Sequence, residues 1–73
     1  MQLSEILKIM RKKLFMTQED LAVKLGVTTS TINRWEHGKV KPNMTAMKKL
    51  KTFCEEQNIP FEEIEAAWLS END

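Results

Sequence analysis

The sequence predicts an all-α fold with five helices, in a single domain over residues 1–73. Five segments carry apolar residues at the three- and four-residue spacing of an amphipathic helix. No segment alternates apolar and polar residues as a strand does, and capping residues, glycine or proline separate the five segments. A chain of 73 residues buries only about 60% of its unfolded surface, so we expect a modest stability of about 4–11 kcal/mol.

The first helix is predicted over residues 3–13. Its apolar stripe consists of Leu3, Ile6, Leu7, Met10 and Leu14. These positions recur at the period of an α-helix, so one face is expected to pack on the rest of the domain. The chain's five methionines could form a flexible binding surface, but Met10, Met44 and Met47 fall at core spacing. We therefore expect these three to fill the core.

The second helix is predicted to begin after Thr17, which forms a capping-box pattern with Asp20. Met16 and Leu21 occupy the positions of a hydrophobic staple across this start. The helix is expected to end before Gly26, because glycine takes left-handed backbone angles at little cost. Both of its ends are therefore specified by neighbouring residues.

The third helix follows after a short turn, where Val27, Thr28 and Ile32 repeat the staple and cap, and Gly38 ends it. At 100° per residue from Thr29, two faces separate. Between about 0° and 140° lie Thr29, Asn33, His37, Ser30 and Arg34. Between about 200° and 340° lie Thr31, Trp35, Ile32 and Glu36. One face is thus polar and basic, and the other carries the large apolar residues.

The fourth and fifth helices complete the domain. Pro42 excludes helix before it, and Asn43 is a good N-cap for a helix that reaches about Gln57. The predicted stripe of the fourth helix is Met44, Met47, Leu50 and Cys54. The predicted stripe of the fifth is Phe61, Ile64 and Trp68. Glu62 and Glu63 lie in its first turn, where carboxylates favour the positive end of the helix dipole.

The formal net charge of zero conceals a division along the chain. All 11 lysines and arginines lie in residues 1–51 with only four acids, which gives this part a charge of +7. Residues 52–73 contain no lysine or arginine and carry −7, from Glu55, Glu56, Glu62, Glu63, Glu65, Glu71 and Asp73. A basic part favours a phosphate backbone, whereas the acidic part should face away from it or meet a partner. A solvated surface would explain either half alone.

Several function classes are excluded or disfavoured. No run of 18 apolar residues and no signal-peptide pattern is present, so we expect a cytoplasmic protein. The sequence has no Ser/His/Asp or Cys/His set, no phosphate-binding glycine loop and no metal-ligand cluster, so we expect no enzyme, cofactor or metal site. The single cysteine, Cys54, is expected to be a small buried hydrophobe, with a redox sensor as the alternative.

The polar face of the third helix has the chemistry of a DNA major-groove reader. Hydroxyl groups can serve several bases, and an arginine such as Arg34 can bind guanine O6 and N7 together. An ordinary amphipathic surface helix would show the same two faces. The capped second helix and the short turn before it favour the first interpretation. Trp35 and Trp68 lie on apolar stripes, so we expect them to pack in the domain and not to stack on bases.

Residues 17–38 resemble the helix-turn-helix of the phage Cro and repressor type, an XRE-like family of bacterial transcription regulators. The matching residues are Gln18, Leu21-Ala22, Leu25-Gly26-Val27, Ile32 and Trp35-Glu36-x-Gly38. The resemblance runs from about Leu3 to Ile59 and implies a repressor-like domain whose second and third helices form the motif. The sequence departs from the family at Phe15, where Gly or Asn is frequent. We expect a differently shaped loop there, because a left-handed Phe costs roughly 1 kcal/mol.

The resemblance also implies site residues. Base contacts are expected from Thr29, Ser30 and Arg34, with Asn33 at the periphery. Contacts to the DNA backbone are expected from Thr17, Gln18, Thr28, His37, Lys39 and Lys41. Arg11 and Glu36 occupy the positions of a family ion pair that ties the first helix to the third. Some relatives have an uncharged residue in place of Arg34. We therefore do not expect this chain to bind the operator sequences of those relatives.

These features predict a sequence-specific regulator of double-stranded DNA, a repressor of phage or mobile-element character. We expect a palindromic operator bound by two copies, which would associate weakly through Phe61, Ile64 and Trp68; these three side chains could instead cap the core. An alternative is a protein-interaction module, such as a toxin-neutralising antitoxin, that uses the acidic fifth helix. The two functions are compatible, since antitoxins can also bind operators.

Overall fold

The structure, a computed structural model, describes residues 1–71 and contains five α-helices in that range. They are α1 (Leu3–Lys13), α2 (Gln18–Leu25), α3 (Thr29–Glu36), α4 (Met44–Gln57) and α5 (Glu62–Ser70). The predicted all-α class and all five helices are confirmed, and residues 1–71 contain no strand. Asp73, one of the seven acids counted above, lies outside the described residues. None of the helices in the described range is long and apolar enough to cross a bilayer.

Side-chain caps mark the beginnings of α2, α3 and α4. The Thr17 hydroxyl accepts a hydrogen bond from the Asp20 amide at 3.0 Å, and the Asp20 carboxylate accepts one from the Thr17 amide at 2.9 Å. These bonds lower the pKa of Asp20 and complete the predicted capping box. The Thr28 hydroxyl caps α3 by accepting a bond from the Thr31 amide at 3.1 Å, and Oδ1 of Asn43 caps α4 by accepting one from the Ala46 amide at 2.9 Å. Gly26, in the left-handed region at φ +69°, ends α2 as predicted.

The core lies between the inner faces of all five helices. Its buried residues include Leu7, Leu21, Ile32, Leu50 and Ile64, each at most 2% exposed, and Trp35 at 6%. Cys54 is also buried, and its Sγ lies 4.0 Å from Sδ of Met10. Burial raises the pKa of the Cys54 thiol and keeps it protonated. The side chain is therefore the small buried hydrophobe that the sequence indicated.

One core prediction for α4 is wrong. Met10 and Met47 are buried, but Met44 is 61% exposed. At 100° per residue, Met44 lies about 120° from Leu50, whereas the buried residues of α4 lie within about 60° of it. Phe53 is one of these residues and is 3% exposed, although it falls outside the predicted stripe. The true stripe is centred on Leu50.

The connection between α1 and α2 also differs from expectation. Phe15 was expected to force a differently shaped loop, but it adopts the left-handed conformation itself, with φ +57°. The Phe15 amide donates to the Lys12 carbonyl at 3.0 Å, and the Met16 amide donates to the Arg11 carbonyl at 3.2 Å. These two bonds form a Schellman C-cap, so the satisfied carbonyls offset the strain of a non-glycine residue. The ring of Phe15 is 93% exposed and contributes little packing.

Replacing Phe15 by glycine should therefore raise the free energy of unfolding by about 0.5–1 kcal/mol. The change removes the left-handed strain and loses almost no packing, although glycine gives the unfolded chain more freedom. Asn58→Gly is the matched control, because Asn58 has φ +58° but asparagine tolerates this region well. Denaturant melts should show a larger gain for F15G than for N58G. Equal effects would mean that Phe15 is not strained.

Helix α5 closes the domain over the loop before α4. The Trp68 indole donates to the Pro42 carbonyl at 2.7 Å, and the Lys41 ammonium lies 4.7 Å from the centre of the Trp68 ring. Phe61 and Trp68 are half-buried against the core, and Ile64 is 2% exposed. Trp68 thus packs as predicted. Ile64 is buried, and Phe61 and Trp68 pack against the core of their own domain, which favours the alternative in which these side chains cap the core. Their expected role in joining two copies stays a prediction.

Candidate nucleic-acid interface

The exposed face of α3 is the central feature of the candidate interface. Thr29, Ser30, Asn33 and Arg34 are all exposed, and His37 at the C-cap is exposed as well. Ile32, Trp35 and Glu36 on the opposite face are buried. The helix is therefore anchored by one side and presents hydroxyl, amide and guanidinium groups on the other. This arrangement has the donors and acceptors that read base edges in a major groove.

An ion pair beneath this face fixes α3 to α1. Arg11 Nε donates to Glu36 Oε2 at 2.7 Å and Arg11 Nη2 donates to Glu36 Oε1 at 2.9 Å, in a bidentate arrangement. The side chains are only 11% and 1% exposed, respectively. Arg11 Nη1 also donates to the Met16 carbonyl at 2.9 Å, so Arg11 holds the start of the motif too. Arg11 thus faces the interior and is unavailable to DNA.

The environment keeps both members of the pair charged. Burial alone would raise the pKa of Glu36, but the hydrogen bonds from Arg11 and Gln18 and the positive charges of Arg11 and Lys8 hold it below its usual range. The hydrogen bonds to Glu36 raise the pKa of Arg11 against the opposing effect of burial. Glu36 is thus an ionised carboxylate that can only accept hydrogen bonds.

Gln18 has a role that the sequence did not reveal. Its Nε2 donates to Glu36 Oε1 at 3.1 Å, and its Oε1 accepts a bond from Asn33 Nδ2 at 3.3 Å. The side chain expected at a phosphate therefore lies in an internal polar network with Arg11, Glu36 and Asn33. Gln18 is also the first residue of α2, where backbone N–H groups lack partners inside the helix.

The remaining expected backbone-contact residues differ in their availability. Thr17, Thr28 and Lys39 are exposed, and Nδ1 of His37 lies 2.8 Å from the Asn33 carbonyl oxygen. Lys41 is half-buried, and its ammonium donates to the Trp68 carbonyl at 3.2 Å besides lying over the Trp68 ring. The structure therefore places Lys41 against α5 and not on the open surface beside α3.

Comparison with known proteins gives the family. The helix-turn-helix family model matches residues 7–55, from α1 into α4, and so includes the whole motif. The chain belongs to the XRE-like helix-turn-helix family. It is a small all-α DNA-binding domain. The family comprises transcription regulators, which are typically not enzymes.

A curated relative agrees with this assignment. The helix-turn-helix domain is similar to the HTH-type transcriptional activator BcrR of Enterococcus faecalis, with 40% identity over 53 residues. The aligned segment covers 73% of this chain and 26% of the relative, so the chain spans about a quarter of that protein. No solved structure gives a significant match. The relative and the family model agree on a helix-turn-helix domain.

Proposed function

We propose that this domain recognises a specific double-stranded DNA sequence by placing the exposed face of α3 in the major groove. The observation that carries the proposal is the exposure of Thr29, Ser30, Asn33 and Arg34 on a helix whose other face is locked in the core. Thr29, Ser30 and Arg34 contact base edges near the centre of the interface, and Asn33 lies at its periphery. Arg34 carries the strongest specific contact, because its guanidinium fits guanine O6 and N7.

Contacts to the phosphates set the register of the helix in the groove. Gln18 contributes its backbone N–H at the positive start of α2, because its side chain is engaged within the domain. The other contacts come from Thr17, Thr28, His37 and Lys39. We omit Lys41 from this set because its ammonium is held by Trp68.

Selection from a pool of random duplexes tests the proposal directly. The purified domain should enrich one motif over several rounds, and the enriched duplex should bind more tightly than a scrambled duplex of the same composition. Specific and non-specific binding typically differ by a factor of about 10³ or more. Equal binding to both duplexes would refute sequence-specific recognition.

Lys39→Ala should weaken binding to the enriched and scrambled duplexes by similar factors and lower the salt slope of log K by about one. A phosphate contact acts through counterion release, which does not depend on sequence. Lys41→Ala is the matched control, since it removes the same charge two residues away from a side chain engaged with α5. Titrations at several salt concentrations should show the larger change in slope for K39A. A larger change for K41A would reverse our assignment of the two lysines.

We further propose that two copies occupy a palindromic site. One module covers only about 600–1,000 Å² on DNA, and two modules in adjacent major grooves about 34 Å apart double the contacts. Because Ile64 is buried and Phe61 and Trp68 pack against the core of their own domain, we propose that DNA itself brings the copies together. Sedimentation with an enriched duplex should give two domains per duplex, whereas the free domain stays monomeric. A strictly one-to-one complex on a non-palindromic site would contradict the two-copy model and leave the α3 interface intact.

Repression by occupancy is the regulatory mode that we propose, because a bound domain excludes polymerase from the bases it covers. The relative named as an activator shares this domain over only 26% of its length, so its mode of regulation need not apply here. A reporter whose promoter overlaps the enriched site should fall in expression when the domain is produced. An increase in expression would favour activation.

A protein partner for α5 remains the second candidate. Glu62, Glu63 and Glu65 are exposed on this helix, and an acidic surface suits a basic partner such as a toxin. This role would be compatible with DNA binding by α3.

A further inference from the structure

The polar network of Arg11, Glu36, Gln18 and Asn33 orders its donors and acceptors in one direction. Glu36 is ionised and only accepts hydrogen bonds, so the group of Gln18 that faces it must be the amide nitrogen. Gln18 then turns its oxygen toward Asn33, where it accepts the bond from Nδ2. Reversing the Gln18 amide would set its oxygen against a carboxylate. Reversing Asn33 would set two amide oxygens against each other.

This order determines what Asn33 offers to DNA. One N–H of its amide is used by Gln18, which leaves the Oδ1 acceptor and the second N–H. Of the two N–H bonds in a carboxamide, only the one cis to the oxygen lies beside it. When Gln18 takes the other N–H, Oδ1 and the remaining N–H of Asn33 form an acceptor–donor pair. Adenine presents the complementary pair in the major groove, the N6 amino donor and the N7 acceptor. Guanine presents two acceptors, O6 and N7, and one of them would meet Oδ1.

We propose that Gln18, held by the Arg11–Glu36 pair, fixes the Asn33 amide so that this residue selects adenine. The inference rests on the proposed function, since it assumes that α3 lies in the major groove. Asn33 is then a specificity-determining residue, and Gln18 is a positioning residue that acts through it. Without Gln18 the Asn33 amide can turn over and direct both N–H groups to the guanine acceptors, so the preference for adenine weakens.

Sequence selection with the wild-type domain, Asn33→Ala and Gln18→Met tests the assignment. Methionine keeps the length of the Gln18 side chain and removes its hydrogen bonds. The wild type should require an A·T pair at one position in each half-site, with about tenfold discrimination against G·C. Both variants should lose most of this discrimination at that position and keep the rest of the motif. Thermal melts with and without the enriched duplex confirm that each variant is folded.

The ratio of affinities for the A·T and G·C versions of the duplex shows whether Gln18 positions Asn33 or only contacts a phosphate. A lost phosphate contact lowers binding to the A·T and G·C versions of the duplex equally and leaves their ratio unchanged. In the Asn33→Ala background, Gln18→Met should therefore have no further effect on the ratio. Full adenine discrimination in folded Q18M would overturn the inference and leave the proposed function intact. A wild-type domain that enriches no motif would overturn the proposed function itself.

Discussion

Arg11→Met should lower the free energy of unfolding by about 3 kcal/mol, a large part of the about 4–11 kcal/mol expected for a domain of this size. The substitution removes two hydrogen bonds to Glu36 and one to the Met16 carbonyl. It also leaves the buried Glu36 carboxylate without its cation, and an unpaired buried charge costs more than the pair contributes. Denaturant melts monitored by circular dichroism measure the loss.

A double-mutant cycle isolates the pair. The double mutant with Arg11→Met and Glu36→Leu should have a free energy of unfolding roughly 0.5–3 kcal/mol higher than the sum of the two single losses predicts. Lys12→Met is the matched control, because Lys12 is exposed on the same helix and its loss should change stability by less than about 0.5 kcal/mol. Equal losses for R11M and K12M, with no coupling in the cycle, would mean that the pair does not hold α3 to α1.

Arg34→Ala should reduce affinity for the enriched duplex by about 1–3 kcal/mol and relax its preference at one or two base pairs. The side chain is exposed on α3, so the loss belongs to binding and the stability should hardly change. Titrations with the enriched duplex and with single-base variants of it measure both effects.

Arg34→Lys is the matched control for charge. Lysine keeps the positive charge but lacks the planar fork that binds guanine at two points, so R34K should retain non-specific affinity and lose much of the base preference. If Arg34→Ala leaves both the affinity and the selected motif unchanged, α3 does not dock as proposed.

Features specified by adjacent residues were predictable from the sequence. The caps at Thr17, Thr28 and Asn43 and the turn at Gly26 each depend on groups within a few positions, so these four helix boundaries follow directly. The separation of α3 into two faces is equally local, because a helix fixes the angle between its own residues. The identity of the exposed residues on α3 therefore needed no tertiary information.

Contacts between distant residues were not predictable in this way. Gln18 and Glu36 are 18 positions apart and Lys41 and Trp68 are 27 apart, and no spacing rule brings them together. The Arg11 and Glu36 positions were anticipated only through the family resemblance. The loop at Phe15 was expected to avoid the left-handed conformation, but Phe15 adopts it. Two C-cap hydrogen bonds and the bond from Arg11 to the Met16 carbonyl hold the chain in this conformation.

The central claim is that the exposed face of α3 contacts DNA, and NMR of the isotope-labelled domain titrated with the enriched duplex tests it most directly. Amide shifts should change most in residues 28–34, at the start of α2 and around Lys39, whereas α5 should change little. A scrambled duplex should give smaller shifts over the same surface. Changes centred on Glu62–Ser70 with an unaffected α3 would contradict the account and favour the acidic helix as the binding surface.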